Sequence, residues 1–242
     1  MPRRQGSGRS AAGRPGAGRP AAGRPAAGGG RWVEVDPWRL PKWLAGFAGR
    51  HGQPVATVRE SVVRLDAPDG AVAELHSPPG APEASSLDEF VALSAQPRRL
   101  GLLLARQAAV AVGVAEGERL MASKVDSSYV QGRTAAGGWS QHRFARRREN
   151  QAKAAAGVAA DIAVRLLLPE VERLHAVVTG GDRRTVDAVL SDPRLAPVAE
   201  LRTARFLDVP EPRLAVLQAA VAAARAVRVR VLDPDPDHPI PR

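Results

Sequence analysis

The stretch Arg98–Val130, RRLGLLLARQAAVAVGVAEGERLMASKVDSSYV, decides how this chain is read. Apolar residues run almost unbroken through LGLLLA and AAVAVGVA and read as strands. Glu116-Gly117 supplies a turn, so the segment predicts two or three strands in hairpin order. A loop follows, and then one long helix over about residues 143–168, ended by Pro169. Beyond it, LHAVVTGG reads as a buried strand, with Asp182 placed to cap the helix RRTVDAVLSD. A helix near 195–202, a short strand RFLDV, a helix over 211–226 and a last strand VRVRVL complete the series. Strand hairpins followed by alternating helix and strand predict an α/β (α+β) layer over residues 96–232.

Working outward, residues 31–95 predict a small N-terminal α+β module. VEVDPWRLPKWLAGFAGRHG combines an extended piece with an amphipathic helix on which Leu40, Trp43, Leu44 and Phe47 recur at helical spacing. Trp38 and Trp43 are expected in its core. VATVRESVVRLDAPDGAVAELHS reads as two strands about Pro68-Asp69-Gly70, and GAPEASSLDEFVALSAQP as a loop ending in a short helix. Residues 1–30 repeat Gly-Arg-Pro without apolar period and are expected to be a disordered tail. So is the proline-rich 233–242.

Composition limits the chemistry. The 242 residues contain no cysteine, which excludes disulfides, iron–sulfur clusters and cysteine nucleophiles. The five histidines are dispersed without metal-ligand spacing, so no metal and no cofactor are expected. No apolar run reaches the ~20 residues of a membrane span, and a cytoplasmic, monomeric protein is the expectation. The formal charge of +10 is concentrated. Residues 1–30 hold six arginines and no acid, and residues 131–153 hold Arg133, Arg143, Arg146, Arg147, Arg148 and Lys153 against Glu149 alone. Such clusters suit a phosphate-rich partner.

The second cluster lies in GRTAAGGWSQHRFARRRENQ, Gly132–Gln151. On a helical wheel Arg143, Arg146, Arg147, Asn150 and Lys153 share one third of the turn. Ala152, Ala155, Ala159, Ile162, Ala163 and Leu166 take the opposite third. Arginine forks donate two bonds at once to phosphate, and an ordinary exposed face would mix in more acids. Gly137 and Gly138 allow close backbone approach to a ligand. Ser140 reads equally as the cap of the helix.

Here Ser140, Arg143, Phe144, Ala145 and Arg146 follow the order Gly-Gly-x-Ser-x-x-Arg-Phe-Ala-Arg. This resembles the Gly-Gly-Gln loop of the class-I release factors of eukaryotes and archaea, and more closely the release-factor-like peptidyl-tRNA hydrolases of actinobacteria, relatives of the factor that frees stalled chains in eukaryotic ribosome quality control. The resemblance runs from about Arg31 to Leu232. It implies a release-factor middle-domain-like, ribonuclease-H-like mixed sheet with flanking helices. It also implies hydrolysis of the ester joining peptide to tRNA, with the large ribosomal subunit, its RNA and peptidyl-tRNA as partners. The position of the release-factor glutamine is Trp139. The resemblance therefore carries the catalytic role to Gln141, two residues later, in a loop with Gly137, Gly138, Trp139 and Ser140. Arg133, Arg143, Arg146, Arg147 and Lys153 would contact RNA.

Three other readings compete. A two-metal nuclease needs converging carboxylates, and Asp126, Asp182 and Asp187 are scattered in the sequence. VVTGGDRRT places glycines where a phosphate sits in some folds, but it lacks the Walker lysine, and a tight turn explains it. A non-catalytic ribosome-binding factor would use the same arginines, with Trp139 serving only to stack.

Overall fold

The computed structural model describes residues 29–106, 109–127 and 141–234, with the backbone alone for Arg24–Pro25 and for 141–149. Strand β1 (Arg24–Pro25) and β2 (Arg31–Val35) lead into a short 3-10 turn and helix α1 (Leu40–His51). Strands β3 (Val55–Arg59), β4 (Val62–Asp66) and β5 (Val72–His76) and helix α2 (Leu87–Ala95) follow. Next come β6 (Arg99–Arg106), β7 (Ala109–Glu116), β8 (Arg119–Ser127) and helix α3 (Gln141–Leu167). The remainder is β9 (Ala176–Gly181), α4 (Arg183–Leu190), α5 (Ala196–Glu200), β10 (Arg202–Leu207), α6 (Leu214–Arg225) and β11 (Val227–Leu232).

The fold is a mixed α+β arrangement of two sheets. The five-stranded sheet has the order β10-β9-β6-β7-β8. β6, β7 and β8 form an antiparallel meander, and β9 and β10 run parallel to β6. Counted within this sheet, the order is 5-4-1-2-3, that of a ribonuclease-H-like sheet. Both faces are covered, which is why β6 and β7 are apolar residue after residue. Leu103, Val110, Val112 and Val114 pack on one face with Ala159, Ala160, Ile162, Ala163 and Leu167 of α3 and Val186 and Val189 of α4. Leu100, Leu102, Leu104 and Ala111 pack on the other with Leu217, Ala220, Val221 and Ala224 of α6.

The six-stranded sheet has the order β1-β2-β11-β5-β4-β3. Its inner face holds Val35, Val63, Leu65, Leu75, Val227, Val229 and Val231, packed with Leu40 and Phe47 of α1 and Phe90 of α2. Strand β11, read from sequence as the last of the α/β layer, instead lies antiparallel between β2 and β5. Its alternation Val-Arg-Val-Arg-Val suits a sheet buried on one face only, which the doubly covered layer is not.

Two further expectations are corrected. Residues 55–66 are two strands rather than one, folded back at Glu60-Ser61, where Glu60 takes a positive φ of 50°. Trp38 is not in the core but 64% exposed, with the Arg39 guanidinium 4.6 Å from its ring centre. Trp43 is partly buried and stacks on Phe47 at 5.6 Å.

Candidate functional site

The resemblance places the chemistry between β8 and α3. Arg133, Gly137, Gly138, Trp139 and Ser140 lie outside the described residues. What the structure gives is the frame on which that segment is mounted. β8 ends at Ser127, level with Ala109 of β7, which is level with Arg106 of β6. On the other side of β6, Ala105 is level with Gly181 of β9, and Gly180 with Leu207 of β10. Residues 128–140 therefore leave from the end of the sheet that also carries Arg106, Asp182, Arg183 and the start of α4.

Gln141 is the first residue of α3, two residues earlier than the expected helix start. The helix has 27 residues, and its last turns are fixed against the start of β6, where Leu167 and Leu174 close over Gly101. Its burial is uneven along the axis. Ala159, Ala160, Ile162, Ala163 and Leu167 are buried, whereas Asn150, Gln151, Ala152, Lys153 and Ala154 are all exposed. Five consecutive exposed residues exceed a full turn, so this portion has no face on the body. That corrects the expectation that Ala152 lies on the core side, and Ala155 is only partly buried. From Gln141 to Ala159 the axis advances ~27 Å at ~1.5 Å per residue. Arg143, Arg146 and Arg147 lie on the backbone of this outer segment, and Lys153 is solvent-facing within it.

The anchored half is tied sideways by ions. Arg194 reaches Asp161 of α3 at 2.8 Å and Asp192 at 2.7 Å. Hydrogen bonds from the Arg194 side chain, and then from its backbone N–H, hold the Asp192 carboxyl down at about 2. The side-chain bonds to Asp192, and then to Asp161, push the Arg194 guanidinium above its ordinary value.

Side chains that sequence reasoning passed over share that end of the sheet. Arg106 donates to the Val209 carbonyl at 2.9 Å, Arg183 lies 4.2 Å from the centre of the Phe206 ring, and Arg184 is exposed. Their sequence signal was slight, one arginine at a strand end and a pair after a turn. Asp182 caps α4, accepting from the Thr185 N–H and hydroxyl at 2.8 Å each. Those bonds, led by the hydroxyl, lower its carboxyl below the usual range. The glycines of VVTGG are explained by packing. A Cβ on Gly180 would crowd the Leu207 carbonyl, and Gly181, at φ +100°, abuts the Ala105 carbonyl. Among the described residues no group of three or more His, Asp or Glu side chains is placed to hold a metal ion. No described helix is long and apolar enough to cross a membrane.

With this geometry in hand, comparison with known proteins defines the class. A model of the Actinobacteria/chloroflexi VLRF1 release factor family matches residues 98–230, more than half of the chain. The chain belongs to that family, and so to the translation release factors. Among solved structures it is similar to the archaeal translation termination factor aRF1, at 16% identity over 80% of this chain, with a TM-score of 0.38. It is also similar to an archaeal protein at 14% identity over 66% of this chain, with a TM-score of 0.37. The chain spans 63% and 52% of those two structures, less than two thirds of either. Both scores are low, and the fold rests on the strand order itself. No curated protein matches.

Proposed function

We propose that this protein hydrolyses the ester between a nascent peptide and tRNA on stalled ribosomes or large ribosomal subunits. The observation that carries this reading is the mounting of Gln141. Within a release-factor family match, Gln141 opens a long helix whose outer turns stand off the body, directly after a glycine-rich segment. A projecting helix of this kind can enter a cavity in RNA that the globular body cannot.

A glutamine amide does not titrate usefully, so Gln141 is no general base. Its work is to hold a water against the ester carbonyl carbon and to donate to groups gaining charge. The water forms the new C–O bond, the terminal ribose oxygen of tRNA leaves with a proton, and the peptide departs as its carboxylate. The first turn of α3 adds backbone N–H groups without intrahelical partners and the positive end of the helix dipole, both suited to a developing oxyanion. One such donor contributes ~10²–10³ in rate. Arg133, Arg143, Arg146, Arg147 and Lys153 hold RNA phosphate along the arm, and Arg106, Arg183 and Arg184 hold it at the base. The reaction uses no cofactor, and the protein acts as a cytoplasmic monomer.

The test is release of a labelled nascent chain from stalled large-subunit complexes. Gln141→Ala is expected to abolish release while leaving ribosome binding nearly intact. Trp139→Ala is expected to retain release. One observation favours a second reading, a non-catalytic ribosome-binding factor: Trp139 occupies the position of the release-factor glutamine. Binding without release by every variant, wild type included, would establish that reading.

A further inference from the structure

Helix α1 covers the inner face of the six-stranded sheet with Leu40 and Phe47 and turns its other side to solvent. The 3-10 turn before it (Pro37–Arg39) holds the most exposed aromatic side chain among the described residues. This is Trp38, 64% exposed even with the Arg39 guanidinium 4.6 Å from its ring centre. Arg39, Lys42 and Arg50 fall within about a quarter of a helical turn, and all three are exposed. Arg50 does not extend away from the others. Its guanidinium lies 3.4 Å from the point that a Cβ on Gly46 would occupy, so it folds back one turn toward Lys42. The three cations thus line a ridge about 10 Å long, at ~1.5 Å per residue from Arg39 to Gly46.

No carboxylate among the described residues relieves this ridge. Residues 37–59 contain no acid, and Asp36 before the turn and Asp88 and Glu89 of α2 pair with none of the three cations. Arg39 and Lys42 also stand at the start of α1, where the helix dipole disfavours positive charge and no acid offsets it. A protein partner would have to bring a carboxylate to each cation in turn. One nucleic-acid strand carries a negative charge about every 3.4 Å, so a few nucleotides match the ridge. The indole beside it offers a ring face on which a base stacks whatever its sequence. A base inside a helix is closed to such stacking, so the site fits RNA in which paired backbone adjoins an unpaired base.

We propose that this side of α1 binds structured RNA, with phosphates along Arg39, Lys42 and Arg50 and an unpaired base on Trp38. Every group involved lies in the N-terminal module, outside the family match at 98–230, and the contact does not depend on hydrolysis by Gln141.

The experiment is fluorescence anisotropy of the full chain with a labelled RNA hairpin carrying one bulged adenosine, and with the same hairpin fully paired, across a salt series. Wild type is expected to bind the bulged hairpin more tightly. Trp38→Ala is expected to raise the Kd for the bulged hairpin roughly tenfold while leaving the paired hairpin and the salt slope as in wild type. Lys42→Ala is expected to weaken both hairpins alike and to reduce the slope of log K against log salt by about one. Gln141→Ala should leave both affinities unchanged, which separates this surface from the release reaction. Melting temperatures establish that the variants fold, and if Trp38→Ala does not fold, Lys42→Ala decides. Equal binding of the two hairpins by wild type, or unchanged affinities in the folded variants, overturns the proposal. So does loss of ribosome association by Trp38→Ala with both hairpin affinities intact, which would assign the face to a protein partner.

Discussion

The two halves of helix α3 obey different rules. From Ala159 to Leu167 the helix is small and apolar where it meets the sheet, and it is locked by burial and by Arg194. From Asn150 to Ala154 every residue is exposed. The backbone continues outward to Gln141 through a sequence with five basic residues and one acid between Arg143 and Lys153. One continuous helix thus serves as a root and as an arm. Stability should reside in the root, and function in the arm.

Leu167→Ala probes the root at its deepest point, where the side chain is fully buried. It is expected to cost ~2–5 kcal/mol, read as a lowered denaturant midpoint, with release per folded molecule unchanged. A fall in release beyond the fall in folded protein would break the division. Reversing charge in the arm with Arg143→Glu and Arg146→Glu should do the opposite. Ribosome binding and release are both lost, while the denaturant midpoint falls by less than it does in Leu167→Ala. Gly157 sharpens the boundary, since a Cβ there meets nothing within 4 Å. Gly157→Ala should stabilise by about 0.5–1 kcal/mol in a thermal or chemical melt, because alanine favours helix. The smallest effect concerns acid. Asp192 sits at about 2 in the folded protein against an ordinary 3.8. Its contribution is present above the ordinary value and is lost as pH falls toward 2. Asp192→Asn should therefore flatten the acid limb of stability against pH without changing the limb above pH ~5.

The root was legible in the sequence and the arm only partly so. Unbroken apolar runs in β6 and β7 announce strands, and Pro169 marks the helix end within two residues. Asp182 reads as a cap from its place before an amphipathic run, and it is one. Periodicity could not show that Ala152 has no wall to face, because a wheel gives direction and not distance. The hairpin at Glu60-Ser61 was hidden because Glu60, which takes the positive φ, is not a usual turn former. Trp38 looked like core by size, yet it sits in the 3-10 turn that swings it outward. The arginines at the sheet end come together only through strand register, which a linear reading does not contain.

The place of β11 bears on how the protein is made. β2 and β5 are complete by His76, yet the strand that joins them does not begin until Val227. Until then the first sheet lacks its middle, and the apolar edges facing Val227, Val229 and Val231 stay uncovered. The family match at 98–230 takes in most of β11 but neither of its neighbours. A fragment cut to that match would carry a strand without a sheet. The sheet near the N-terminus can thus close only once Val227–Leu232 has been made, and the lobe carrying Gln141 can assemble before it.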